Sequence, residues 1–363
     1  MSTTHSTELG ADIYVLRASL EDSTNLIAVG TEHSVEVFTV EDNSFTPVAS
    51  FHIGQRVTAL GFSPKTVSPS RSQDWFIEIV AASANFGLHL LTKSSHASNE
   101  HIFAFGGGLS GHHGCVNDIS FCGGFGDDAA RYVATVSADA LMLIWDLYPT
   151  STPSSPSSAD LSLSPPPRAQ PTAYTISFPH ELRSVCSHPS SSKEFLVADA
   201  RGSIFLTDWR SDPEETGTDG WRLFELVDPY ALAASISAPV GGCASWKKDN
   251  VDIVGAVFGS RFSVWDISRL QGGKPLIGNV CLEGADRFRW SPTLPAFAIS
   301  SRSPTKGATL NIHQLTHASS PTTIVLAPRP HFVRDFDWIF LRTPRIAAAV
   351  GRRIMILRVE IDT

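Results

Sequence analysis

Read for its alternation of apolar and polar positions, the chain breaks into short two-strand units. Each has an apolar run of strand length, a turn of small or polar residues, and a second, alternating run. The unit occurs seven times: "NLIAVGTEHSVEVFTV" from Asn25, "WFIEIVAASANFGLHLLTK" from Trp75, "RYVATVSADALMLIWDL" from Arg131, "EFLVADARGSIFLTDWR" from Glu194, "DIVGAVFGSRFSVWDIS" from Asp252, "AFAISSRSPTKGATLNIHQL" from Ala296 and "RIAAAVGRRIMILRVE" from Arg345. The second run closes on Phe38, Leu91, Trp145, Thr207, Trp265, His313 and Leu357, at intervals of 53, 54, 62, 58, 48 and 44 residues.

A second series interleaves with the first. Before each hairpin lies one more strand-like segment: "DIYVLRASLED", "RVTALGFSPK", "VNDISFCGG", "LRSVCSHPSS", "VGGCASWKKD", "RFRWSPTL" and "VRDFDWIFL". Nowhere do apolar residues recur at i, i+3, i+4 and i+7 over a helical length, so almost no helix is predicted. In the third unit, Gly111-His112 precedes Trp145-Asp146 by about thirty residues, the pattern of one WD40 blade. A lone blade cannot bury its faces, so the series predicts an all-β, seven-bladed WD40-type β-propeller over residues 1–363 as a single domain. The last hairpin ends near Thr363, so its blade lacks an outer strand unless the segment before Asp12 supplies one and closes the ring.

One stretch breaks the order. "YPTSTPSSPSSADLSLSPPPRAQP", Tyr148 to Pro171, is Ser- and Pro-rich and is read as a disordered insertion within the third blade. Thr152-Pro153, Ser155-Pro156 and Ser164-Pro165 match proline-directed phosphorylation sites, and a tolerated surface loop is the plainer reading.

Composition narrows the class. The chain is 42% hydrophobic and 18% charged, enough to bury a large core. A formal charge of −8 argues against direct nucleic-acid binding, which needs clustered Lys and Arg. Cys115, Cys122, Cys186, Cys243 and Cys281 form no CxxC pair and read as reduced thiols. The first residues carry no secretory pattern, and no apolar run approaches the ~20 residues of a membrane span. An intracellular chain without direct membrane insertion is expected.

Candidate chemistry is sparse. His112, Thr135 or Ser137, Asp139 and Trp145 have the spacing of an internal WD40 hydrogen-bond network, and Trp265-Asp266 marks the matching end of the fifth blade. Buried polar groups must be paired, so these are read as structural residues. A hydrolase reading would need a nucleophile elbow, which is absent. "GGGLSG", Gly106 to Gly111, formally matches G-x-G-x-x-G but precedes a strand pattern, leaving no helix N-terminus for a pyrophosphate. His112 and His113 lack a third metal ligand at a recognisable spacing. Arg345, Arg352, Arg353 and Arg358 read as a solvated basic face, with an acidic partner as the alternative. No catalytic residue, cofactor or metal is assigned, and the partner-binding residues are not identified.

"FHIGQRVTALGFSP" (51–64), "SVCSHP" (184–189), "VGAVFGSRFSVWDISR" (254–269) and "RFRWSP" (287–292), in this order, resemble the small WD-repeat nucleoporin of the nuclear pore's Y-shaped outer-ring complex, the nucleoporin thirty-seven family. The likeness runs from about Asp12 to Glu360. Its distinctive parts are His52, Gly54 and Val57, and the Val-Gly-Ala-Val run before Trp265-Asp266. The Ser/Pro insertion departs from a compact propeller and is similar to what fungal versions of housekeeping proteins contain. The resemblance implies a non-catalytic scaffold at the nuclear envelope, in the nuclear pore complex. It would dock on a large nucleoporin whose propeller continues into an α-helical domain, beside other outer-ring nucleoporins, and support nucleocytoplasmic transport. The rival is a WD40 substrate receptor of a ubiquitin ligase or a histone-binding adaptor.

Overall fold

The computed structural model describes residues 3–19, 25–42, 44–149, 168–210, 223–226, 242–270, 274–280, 284–303, 305–340 and 343–359. Among them, 28 strands form seven antiparallel sheets of four. The inner strands are Val15–Ala18, Val57–Phe62, Val116–Phe121, Leu182–Ser187, Gly242–Trp246, Ala285–Trp290 and Val333–Phe340 for blades one to seven. These are the seven segments that interleave with the hairpins in the sequence. Each hairpin supplies the two middle strands, and a fourth strand forms the outer edge. One short α-helix, Asp127–Arg131, stands among the described residues between the inner and second strands of blade three.

The seven closing positions share one place in the fold. Phe38, Leu91, Trp145, Thr207, Trp265, His313 and Leu357 all lie on third strands, opposite Ile27, Ile79, Val133, Phe195, Val254, Phe297 and Ile346. All seven are buried. Second strands such as Phe76–Ser83 and Pro344–Val350 are buried almost throughout, because a blade's middle strands are covered on both faces by neighbouring blades. That is why these strands read as continuous apolar runs.

The core is accordingly divided into clusters shared by successive blades. Val15, Val37 and Phe51 of blade one pack with Leu60, Ile77 and Leu91 of blade two. The last such interface joins Ile339, Ala347 and Ile356 of blade seven to Leu16, Ile27 and Val40 of blade one. Gly255 is required at one interface, since a Cβ there would lie 2.3 Å from the Phe288 ring of the next blade. This accounts physically for the glycine in the Val-Gly-Ala-Val run.

The ring closes through the N-terminal segment. Thr3–Glu8 pairs antiparallel with Arg353–Arg358 as the fourth strand of blade seven, with Thr7 opposite Ile354 and Glu8 opposite Arg353. The connection onward is pinned by Leu9 N–H to Arg352 O at 2.8 Å and Ile13 N–H to Gly351 O at 2.9 Å.

The structure adds detail to two stretches singled out in the sequence. Residues 150–167 of the insertion lie outside the described residues, but Tyr148 at its start is packed. Its hydroxyl donates to Glu78 at 2.5 Å, and Lys65 and Arg168 stack on its ring. Tyr148 and Arg168, within the stretch read as an insertion, are thus held against blade two and against each other. Arg345, Arg352, Arg353 and Arg358 likewise form no single solvated face. Arg345 is buried and ion-pairs with Asp42 of blade one, while Arg352 and Arg353 reach Asp12 and Glu8 at 3.2 and 3.4 Å.

Candidate functional site

The third blade holds a four-residue chain. The Trp145 indole N–H donates to Thr135 Oγ1 at 3.0 Å, Thr135 Oγ1 lies 2.8 Å from His112 Nε2, and His112 Nδ1 lies 3.0 Å from Asp139 Oδ2. Sequence places these groups from both ends: His112 follows the glycine loop, Thr135 sits on the second strand, Asp139 in the hairpin turn and Trp145 on the third strand. Burial pushes the His112 imidazole below its ordinary value, against the opposing pull of Asp139. A neutral ring then satisfies all contacts if Nδ1–H donates to Asp139 and Nε2 accepts from the Thr135 hydroxyl. Asp139 also accepts the His113 and Leu141 N–H groups at 2.9 and 3.0 Å.

This chemistry is committed inward. The Thr135 hydroxyl is occupied by an indole and an imidazole at zero exposure, so it is not presented to a substrate. Trp145 packs edge-on to Phe105 of blade two at 5.4 Å. Gly106 makes room for it: its φ is +61°, and a Cβ there would meet the Trp145 ring at 2.8 Å.

Ser137 and Asp266 fall outside this chain. Ser137 Oγ accepts the Asp139 N–H at 3.2 Å, a local turn contact, because its place at the strand end lies beyond the indole. Asp266 accepts from the Ser268 N–H and hydroxyl at 3.0 and 2.6 Å, capping a short 3-10 turn. A WD dipeptide does not dictate that the aspartate joins a histidine. Its counterpart Asp146 pairs bidentately with Arg131 at 2.9 and 2.6 Å. Trp265 is fully buried among blade-four and blade-five residues.

The glycine-rich Gly106–Gly111 stretch holds only a three-residue 3-10 turn, Gly108–Ser110, so no helix N-terminus faces a phosphate. Among the described residues no group of three His, Cys, Asp or Glu side chains is arranged to hold a metal ion.

The central channel carries a second cluster. Arg17 of blade one binds Asp335 of blade seven at 2.5 Å and Asp118 of blade three at 2.7 Å. Inner strands are sheet edges whose N–H groups lack a ladder partner, and side chains of the preceding blade supply it. Leu16 N–H goes to Asp335 at 3.1 Å, Val185 N–H to Asp118 at 3.1 Å, Ala18 N–H to Asp337 at 3.0 Å and Ala244 N–H to Ser184 at 2.9 Å. Burial raises the Asp335 carboxyl, but Arg17, Arg287 and Arg289 more than offset this and hold it below its ordinary value. Asp337 is raised by burial, only partly opposed by Arg289 and Arg17. These residues escape a motif search. Their one sequence signal is charge within an apolar strand, as in "VLRA" and "VRDFD".

Seven blades in a closed ring, with an indole–hydroxyl–imidazole–carboxylate chain in one of them, define a WD-repeat β-propeller. No family model matches the chain. Among curated proteins it is similar to nucleoporin Nup37 of Mus musculus, 27% identical over 318 residues, 84% of this chain and 81% of that protein. It is also similar to nucleoporin Nup37 of Homo sapiens, 27% identical over 310 residues, 82% and 79% of the two chains. An uncharacterized WD repeat-containing protein of Schizosaccharomyces pombe is 28% identical over 163 residues, 43% of this chain and 34% of its own. The chain is a Nup37-like WD-repeat protein.

Proposed function

We propose that this chain is a non-catalytic scaffold subunit of the nuclear pore complex at the nuclear envelope, docking on a large outer-ring nucleoporin with a propeller and an α-helical domain. The observation that carries this reading is the similarity to Nup37 across more than four-fifths of the chain. The geometry is compatible with it: the polar groups that a motif search would nominate for catalysis are buried and mutually paired. A propeller whose nominated polar groups are paired internally acts through its loops and edges. Among the described residues no helix is long and apolar enough to cross a membrane, so attachment to the envelope runs through protein partners in this reading.

The test is affinity capture of the tagged chain from nuclear-envelope extract with identification by mass spectrometry. Outer-ring nucleoporins in stoichiometric yield support the scaffold role. Cullin adaptors or histones in their place would establish the rival adaptor reading.

A further inference from the structure

The loops between successive blades and the hairpin turns emerge at one end of the ring, because each inner strand starts there. At that end arginines and aromatic rings alternate around the channel mouth. Arg56, between blades one and two, lies over the Tyr14 ring at 5.4 Å. Arg334 on the inner strand of blade seven lies over the same ring at 5.6 Å and over Phe332 at 4.3 Å. Arg302 of blade six covers Phe332 at 5.3 Å. The row thus runs Arg302, Phe332, Arg334, Tyr14, Arg56 across four consecutive blades.

Its charges are unevenly answered. Arg302 is neutralised by Asp286 at 3.0 Å, and Asp335 below the mouth is engaged by Arg17. Asp12, next to Tyr14, is taken by Arg352. Arg56 and Arg334 have no acidic partner among the described residues, although the whole chain holds 36 acidic against 28 basic residues. Further round the mouth, Arg183 of blade four pairs with Glu181 through one nitrogen, while its buried Nε has no hydrogen-bond partner. Stacking on a ring holds a guanidinium plane while leaving its N–H groups free for a carboxylate. Two fixed, uncompensated guanidiniums on a protein of net negative charge favour an acidic ligand at this end.

We infer that the Arg–aromatic row at the channel mouth, centred on Arg56 and Arg334, is a docking surface for an extended Asp- and Glu-rich segment of a protein partner. This rests on the platform role proposed above but names a surface and a ligand chemistry that role does not require. A partner's carboxylates would bind the two free guanidiniums, with its intervening side chains lying against Tyr14 and Phe332. Arg17 and its carboxylates close the channel beneath, so the segment would cross the mouth without threading it.

The experiment is fluorescence anisotropy with a labelled peptide of alternating Glu and Ser, against the full chain, the double variant Arg56→Glu/Arg334→Glu, and the charge-matched variant Lys193→Glu/Arg269→Glu at the opposite end. Each variant is first matched to wild type by thermal melt; if the first double variant fails to fold, Arg56→Gln/Arg334→Gln is read in its place. Expected are peptide binding that weakens with added salt, a loss of about tenfold or more on changing the mouth, and a change within about twofold at the opposite end. Equal losses in both variants, no binding to wild type, or tighter binding of a labelled oligouridine of equal charge would overturn the inference. Nucleoporin capture by the mouth variant at wild-type yield would remove this face from pore assembly while leaving the scaffold reading intact.

Discussion

Arg17 and Asp118 are 101 residues apart in sequence and joined at 2.7 Å across the channel, so one side chain of blade one ties blade three to the ring's seam. Replacing Arg17 by Ala removes the close ion pair of the buried Asp118 and leaves Asp335 with Arg287 at 3.8 Å, and breaking a buried pair in this way costs about 3–5 kcal/mol. The expected result is a matching drop in the urea midpoint at neutral pH.

The same cluster sets an acid limb. Because the folded Asp335 carboxyl is held below its unfolded value of about 3.9, its stabilisation is present above that pH and lost as pH falls through the folded value. Urea midpoints followed from neutral pH down to about pH 2 should show this loss. In Arg17→Ala, where the Asp335 carboxyl is less depressed, the loss over this range should be smaller.

Burial lowers His5, His89, His112, His188 and His313 below the ordinary imidazole value. Unfolding therefore takes up protons just below the unfolded value of about 6.5, and stability falls as pH drops through that point toward the lower folded values. Melting temperatures taken between about pH 8 and 5 should fall on acidification, and His112→Gln should flatten the slope. An unchanged slope would show that His112 does not contribute.

Thr135→Val keeps the shape of the side chain but leaves the Trp145 N–H without an acceptor and His112 Nε2 without a donor. A loss of about 1–3 kcal/mol is expected, read by chemical denaturation. Ser137→Ala, whose hydroxyl serves one turn contact, should cost less than Thr135→Val.

Trp265→Ala opens a cavity where the side chain is fully buried, at a cost of about 3–5 kcal/mol. At equal folded concentration its affinity for nucleoporin partners should match wild type within a few-fold. A stable variant with strongly reduced binding would assign this residue to an interface.

Excising residues 150–167 and rejoining Pro149 to Arg168 through a short Gly-Ser turn should leave the melting temperature nearly unchanged. Extending the cut to Tyr148 removes the hydroxyl that pairs with Glu78, a carboxylate that is 1% exposed, and should lower it by several degrees. The difference between the two deletions measures what Tyr148 contributes.

The repeat was legible because a blade is a local object. Alternation over a few residues marks each hairpin, and the recurrence of Phe38, Leu91 and Trp145 on equivalent positions needs no tertiary information. The positions of His112, Thr135, Asp139 and Trp145 follow from one hairpin and the loop before it. Arg17, Asp118 and Asp335 were not legible, since their contacts join blades one, three and seven and depend on the ring's curvature. Motif spacing also overreached: it nominated Ser137 beside Thr135 and carried Asp266 in with Trp265, where only geometry separates a network member from a turn cap. Composition sees serine and proline from Tyr148 onward but not the Glu78 carboxylate that Tyr148 reaches.

The pairing of Thr3–Glu8 with Arg353–Arg358 has a consequence for synthesis. Thr3–Glu8 must wait until Arg353–Arg358 has been made before its partner exists, a contact of very large sequence separation and correspondingly slow formation. Until then the flank of blade one formed by Leu16, Ile27 and Val29 has no covering neighbour. A nascent chain in that state exposes apolar strands of the kind that aggregate, so its safe passage depends on shielding until the final blade is made.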